Sequence, residues 1–238
     1  MTDGKLPKPS TPDRSFNARE AWRVFGIMSE FVDATEHLAN IRPAVSVFGS
    51  ARCKPGTPYY ALAEETARRL SDAGFAVVTG GGPGLMEASS KGAYGGGGLA
   101  VGLNIDLAGE QPASRYQHIS LRFKHFFTRK AMFAKVATAF IVLPGGYGTL
   151  DELFEALTLV QTGKTRQMPI ILVHEPYWRG LIAWMRERLA AEGMIDASDL
   201  DLVQVYDQPQ QVVDAIFAFY EKRGFAPSPA EREVLLNL

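Results

Sequence analysis

The chain has 238 residues, 46% of them hydrophobic, and its 25 basic and 26 acidic side chains leave a formal charge of −1. That is ample for a large core, and the charge balance argues against a general nucleic-acid binder. A single cysteine, Cys53, excludes an intrachain disulfide and a cysteine-based metal set, and His37, His118, His125 and His174 lack metal-ligand spacing, so neither metal nor cofactor is expected. Residues 1–16 carry Pro7, Pro9, Pro12 and then Asp13-Arg14, which reads as a flexible arm; this start lacks the apolar centre of a signal peptide. With no apolar run near the roughly 20 residues that cross a bilayer, a cytoplasmic protein with no membrane partner is expected.

From 17 to 40, Trp22, Phe25, Met28, Phe31, Val32 and Leu38 recur at three- and four-residue spacing, which predicts a helix. It carries more aromatic surface than a solvated arm needs, so it is expected to pack on the domain or on a partner chain. After Arg42-Pro43, strand-like runs at 44–48, 75–79, 99–103, 140–143, 169–173 and 202–206 alternate with helical runs at 58–73, 84–95, 123–136, 149–162, 177–192 and 209–222. Such alternation predicts an α/β fold: a Rossmann-like, doubly wound, mainly parallel sheet flanked by helices, with the extra helix at its N-terminal side. Residues 17–225 read as one domain and 226–238 as a proline-marked tail with a short amphipathic end. The tract Gly95-Gly-Gly-Gly98 is expected only to end a helix and turn into the next strand.

The most informative run is Leu143-Pro-Gly-Gly-Tyr-Gly-Thr-Leu-Asp-Glu152, which follows the apolar Ala139-Phe-Ile-Val-Leu143 and feeds an amphipathic helix. Strand, glycine-rich turn and helix start together make a phosphate site, because glycine lets the backbone approach an anion and the helix amides and dipole favour it. Glu152 then sets a carboxylate beside a bound phosphate, which suggests chemistry on a phosphorylated ligand. The alternative is that Thr149-Leu-Asp-Glu152 is a capping box at the helix start.

Two further turns follow strands: Phe48-Gly-Ser-Ala-Arg52 and Thr79-Gly-Gly-Gly-Pro-Gly-Leu-Met-Glu87. In an open α/β sheet, ligands bind beyond the carboxyl ends of the strands near the switch in strand order, so Ser50, Gly81, Gly82, Gly84 and Met86 become candidate binding residues. Taken singly, each is also an ordinary tight turn. The glycines match neither the dinucleotide fingerprint nor the phosphate loop of ATPases. In Phe123-Lys-His-Phe-Phe-Thr-Arg-Lys130, Arg129 offers a planar fork and Lys130 a point charge for phosphate; a solvated basic helix face with core phenylalanines is the other reading.

Gly80-Gly-Gly-Pro-Gly-Leu-Met86, Arg129-Lys130 and Pro144-Gly-Gly-Tyr-Gly-Thr-Leu-Asp-Glu152 together resemble the Lonely Guy family. Its members are cytokinin riboside 5′-monophosphate phosphoribohydrolases, long described as possible lysine decarboxylases. The resemblance spans residues 44–195 and, given the extra length at both ends, points to a longer bacterial branch. It implies hydrolysis of the N-glycosidic bond of a nucleoside 5′-monophosphate, on cytokinin ribotides or AMP, with Arg129 and Glu152 as the catalytic pair. It further implies that Lys130, Gly145, Gly146, Tyr147, Gly148, Thr149, Leu150 and Asp151 line the nucleotide site, and that Glu110 and Thr158 contact substrate. Asp151-Glu152 stands where shorter members often have two glutamates, and the segment Lys124-His-Phe-Phe-Thr128 also departs from them, which bears on the base accepted. A homodimer or higher homo-oligomer is implied as well. A non-catalytic nucleotide-binding or sensing protein is the alternative, although such a protein would not need Arg129 with Glu152. A lysine decarboxylase would need a pyridoxal phosphate Schiff base, and no pattern around Lys130 or Lys164 supports one.

Overall fold

The computed structural model describes residues 14–106, 113–221 and 224–237. Seven strands, β1 (Ala44–Phe48), β2 (Ala76–Thr79), β3 (Ala100–Ile105), β4 (Ile119–Phe123), β5 (Ala137–Val142), β6 (Ile170–Val173) and β7 (Val203–Tyr206), form one sheet in the order β4-β3-β2-β1-β5-β6-β7. Every neighbouring pair is parallel. The helices are α1 (Arg14–Leu38), α2 (Pro58–Asp72), α3 (Leu85–Tyr94), α4 (Phe126–Val136), α5 (Tyr147–Gln161), α6 (Glu175–Trp184), α7 (Pro209–Tyr220) and α8 (Pro229–Leu236). A π-helical turn, Met185–Ala190, extends α6, and a 3₁₀ segment, Ala197–Leu202, precedes β7. Among the described residues no helix is long and apolar enough to cross a membrane.

The central strands read as unbroken apolar runs because both of their faces are covered; Ala44–Phe48 and Ala137–Val142 are buried throughout. Successive residues point to opposite faces, and two hydrophobic layers result. Ala44 and Phe48 join Ala34 and Leu38 of α1, Met132 and Phe133 of α4, Leu153 of α5 and Trp178 of α6. Val45 and Val47 join Ala63 and Leu70 of α2, Leu85 and Ala88 of α3 and Ile216 of α7.

The doubly wound parallel sheet expected from the sequence is present. The six expected strands lie where the apolar runs placed them, β1 with the expected bounds and the others with ends shifted by at most three residues. The seventh, β4, was missed. It is an edge strand of alternating pattern, Ile-Ser-Leu-Arg-Phe, in which only Leu121 and Phe123 are buried. Phe123 accordingly ends a strand, and the helix expected from 123 begins at Phe126. α1 begins at Arg14, inside the expected arm, whose remaining residues 1–13 lie outside the described residues. The tail contains α8, started by Ser228 and Glu231, which accept each other's backbone N–H. The glycine tract does end α3 at Gly95 and lead into β3.

Among the described residues of α1, the fully buried ones lie near its C-terminal end. Ala34 and Leu38 are in the core, whereas Trp22, Phe25 and Met28 are 76%, 62% and 56% exposed.

The strand order reverses between β1 and β5: the chain runs outward from β1 to β4 on one side and returns to β5, β6 and β7 on the other. A crevice therefore opens beyond the carboxyl ends of β1 and β5. On the far face, α2 and α3 approach so closely at Gly92 that a Cβ there would collide with the Glu64 carbonyl. Gly92→Ala should destabilise the fold by about 1–3 kcal/mol, as overpacking does. Urea unfolding would show this as a lowered midpoint, and an unchanged midpoint would mean that the two helices can separate freely.

Candidate active site

Backbone hydrogen bonds stitch together the turns after β1, β2 and β5 and the segment that leads into β4. Ser50 N–H donates to Pro144 O (3.0 Å), Leu85 N–H to Ser50 O (2.8 Å) and Ser114 N–H to Gly81 O (2.8 Å). Between the turns lies a cavity of about 870 Å³. The close backbone approaches explain several glycines. A Cβ on Gly80 would collide with the Arg129 guanidinium and the Met86 sulfur, and one on Gly84, at φ +72°, with the Ser50 carbonyl.

The turn after β5 delivers a helix N-terminus to this cavity. Gly146 is the N-cap of α5 and offers no side-chain cap; Thr149 and Leu150 N–H donate to Gly146 O (3.0 Å each), which leaves the Tyr147 and Gly148 amides without an intrahelical partner. Tyr147 and Gly148 are exposed there. Thr149, expected as the cap, is instead the third helical residue and is buried against Gly145. The capping-box reading therefore fails, and Glu152 stands on the second turn rather than the first. Its carboxylate is free of the capping role and lines the cavity.

Glu152 is largely buried, and burial pushes its carboxyl up to about 7; Lys130 and Arg129 pull it down, while Glu155 and Asp151 push it further up. Arg129, on α4, is also largely removed from water. Burial lowers its pKa and Glu152 opposes that. Its Nε is buried with no hydrogen-bond partner, and its guanidinium lies 5.4 Å from the centre of the Phe133 ring. A buried guanidinium without a donor–acceptor partner is costly unless a ligand supplies one. The two groups expected as a pair thus meet in one desolvated crevice.

Of the other expected residues, Ser50, Gly81, Gly82, Met86, Gly145, Gly146, Tyr147, Gly148, Thr149, Leu150 and Asp151 all line the cavity. Gly84 does not; it lets the β2 turn pass over Ser50. Lys130 is also outside, its ammonium 2.9 Å from Asp151 Oδ2 and 3.1 Å from Glu155 Oε2. Burial lowers its pKa, but these carboxylates outweigh it and hold the ammonium charged. Thr158 sits further along α5, its hydroxyl on Phe154 O (2.7 Å), in a shallow groove with Leu150, Phe154 and Glu155. Glu110 lies outside the described residues.

The sequence reading missed Asn104, Tyr59 and Tyr177. Asn104, a buried amide inside an apolar strand, donates to Gln117 Oε1 (3.1 Å) and Leu121 O (3.1 Å) and lines the cavity. That lone polar residue in Ala-Val-Gly-Leu-Asn-Ile was the available signal. Tyr177 donates its hydroxyl to Gly145 O (2.7 Å) and so straps α6 to the phosphate-type turn; Tyr59 packs edge-on against it. Nothing local in the sequence marks either one.

By architecture the chain is a Rossmann-like α/β protein with its cleft at the switch in strand order. Solved structures agree: the molybdenum cofactor carrier protein of Chlamydomonas reinhardtii superposes with a TM-score of 0.55 at 21% identity, over 76% of this chain and 99% of that one. Likeness at that identity shows the fold alone. The family model described as possible lysine decarboxylase matches residues 86–216. A cytokinin riboside 5′-monophosphate phosphoribohydrolase of Rhodococcoides fascians is 33% identical over 189 residues, 77% of this chain and 95% of that protein. A probable cytokinin riboside 5′-monophosphate phosphoribohydrolase of Oryza sativa subsp. japonica is 30% identical over 67% of this chain and 76% of its own length. The chain belongs to this family, the Lonely Guy proteins.

The decarboxylase description does not fit the residues. A Schiff-base lysine must give up its charge readily, whereas Lys130 is doubly ion-paired and Lys164 lies exposed beyond the end of α5.

Raising the Glu152 pKa from 4.5 to about 7 means that the folded state holds a proton which the unfolded chain has lost. Its ionisation opposes folding, so stability falls as pH rises from about 4.5 through 7, by ~3 kcal/mol at most. Glu152→Gln should match the wild-type melting temperature near pH 5 and exceed it by several degrees at pH 8. Equal melting temperatures at pH 8 would show that the carboxylate is ionised there without strain.

Proposed function

We propose that this protein hydrolyses the N-glycosidic bond of a nucleoside 5′-monophosphate, releasing the free base and ribose 5-phosphate. The observation that carries the reading is the meeting of Arg129 and Glu152 in one desolvated crevice beside an uncapped helix N-terminus. The activity for which the relatives are named supports the same reading.

The amides of the Gly145–Thr149 turn bind the 5′-phosphate, and this fixes the sugar so that its anomeric carbon lies near Glu152. As the base departs, positive charge develops on the ribose ring. The Glu152 carboxylate stabilises that charge and orients the attacking water, whose hydroxyl joins the anomeric carbon; the base leaves with the balancing proton. Arg129 orients the ribose or assists the leaving base. Met86, Leu150 and Asp151 complete the walls, and Phe48, Tyr59 and Phe126 give them an aromatic component. The base is adenine-type: adenine itself or its N6-prenylated form.

Base release from AMP and isopentenyladenosine 5′-monophosphate, assayed in parallel, tests this. Glu152→Gln should lose on the order of 10²–10⁴ in turnover. Because the carboxylate form acts, wild-type kcat/KM should rise about tenfold for each pH unit up to about 7 and level off above it. Preference for the prenylated substrate would make this a cytokinin-activating enzyme, and preference for AMP a nucleotide-turnover enzyme. If neither nucleotide is cleaved while both still bind, the protein is a nucleotide-binding or sensing protein.

We also propose a homodimer, in which a second copy covers the α1 stripe. The support is the exposure of Trp22, Phe25 and Met28 at helical spacing, with the Trp22 and Phe25 rings in contact at 5.9 Å. Light scattering should give twice the 26.0 kDa chain mass and fall to a single copy in Trp22→Ser/Phe25→Ser. An unchanged mass in that variant would place the interface elsewhere.

A further inference from the structure

We infer that Glu30 of α1 is a positioning residue for Arg129, acting through the start of α4. α4 begins without a cap of its own, since its N-cap residue, His125, makes no side-chain cap bond. The carboxylate that serves this end comes from α1. Lys124 N–H donates to Glu30 Oε1 (2.9 Å), and His125 Nδ1 lies 3.1 Å from Oε2. The Thr128 hydroxyl is 2.6 Å from the same Oε2 and 2.8 Å from the His125 carbonyl, two acceptors for one hydroxyl. The Glu30 side chain is only 14% exposed, and an anion at this point also meets the positive end of the helix dipole. Burial pushes Glu30 up, but the bonds from Thr128 and Lys124 N–H outweigh it and hold the carboxyl below the usual range.

Thr128 is followed directly by Arg129, whose own N–H closes the first turn onto His125 O. Among the described residues no hydrogen bond holds the Arg129 guanidinium; its Nε is buried and unpartnered, and its neighbours are the Phe133 ring and the bare backbone of Gly80. Its aim into the cavity is therefore set by where the backbone of α4 begins. The far half of α4 is fixed from β1, where the Ser46 hydroxyl donates to Phe133 O (3.0 Å). The near end is fixed by Glu30. The N-terminal helix thus belongs to the working site although it lines none of the cavity.

This inference rests on the hydrolase reading for its rate measurements, and a binding measurement makes it separately testable. A displacement of about 1 Å in a catalytic group costs up to roughly 10²-fold in rate, so partial release of α4 in Glu30→Gln should lower kcat about tenfold with KM changed less than about twofold. The decisive experiment places Glu30→Gln in an Arg129→Lys background. If Glu30 acts through Arg129, the second substitution adds no further loss of rate there, while any loss of thermal stability persists. Equal factors in both backgrounds, or wild-type kcat in Glu30→Gln, would overturn the inference. Should the wild-type protein release no base, the hydrolase reading fails alone. Calorimetric binding of AMP then decides: weakening by Glu30→Gln in the wild-type background but not in Arg129→Lys supports positioning, and equal effects refute it. If Glu30→Gln does not fold, Thr128→Val, which removes the hydroxyl bridging Glu30 to α4, is judged by the same criteria.

Discussion

Much of the geometry at the carboxyl ends of the strands follows from keeping one guanidinium out of water. Arg129 is buried with an unpartnered Nε, a state that a folded chain tolerates only if its surroundings are otherwise well packed or a ligand completes them. The surroundings are built to suit. Gly80, lacking a side chain, leaves room for the guanidinium, Phe133 presents its ring, and Glu152 supplies the opposite charge from another helix. That same desolvation keeps Glu152 half-protonated near neutrality. Burial perturbs both ions and each partly offsets the other's shift, and perturbed groups of this kind cluster at functional sites.

The sheet was legible from the sequence because parallel strands covered on both faces must be continuous apolar runs, and Ala44–Phe48 and Ala137–Val142 are such runs. β4 escaped because an edge strand needs burial on alternate residues only, and its Ser120 and Arg122 dilute the signal. At the site, the turn after β5, Arg129 and Glu152 were all marked by residue type and by their order along the chain. The local helix start was misread, because Thr149 and Glu152 have the spacing of a cap while Gly146 takes that position. What spacing cannot reveal is contact between distant segments. Lys130 has the charge of a phosphate ligand, yet Asp151 and Glu155 occupy it. The bond from Tyr177 to Gly145 joins residues 32 apart and that from Glu30 to Thr128 residues 98 apart.

Solved structures that share this architecture include a carrier of the molybdenum cofactor, whereas the relatives in sequence are named phosphoribohydrolases. A parallel sheet with a switch-point cleft offers a place for a ligand without fixing which one. Distinctions of function must then come from side chains that enter the cleft from outside the glycine turns. In this chain those are Arg129 from α4 and Glu152 from α5, together with Tyr177 from α6. On the proposed reading, the turns would supply the seat and the helices around it the selectivity.

The open N-terminus of α5 has a consequence for how binding energy is used. Its free amides seek an anion, and the phosphate they would hold is carried alike by a nucleoside monophosphate, by the transition state of its cleavage and by ribose 5-phosphate. An attraction common to all three tightens binding without lowering the barrier between bound states. On the proposed reading, the α5 N-terminus would set where the sugar sits and how long either reactant or product stays. Preference for the transition state must come from the charges that face the anomeric carbon, and slow departure of the sugar phosphate is the natural cost of a good seat.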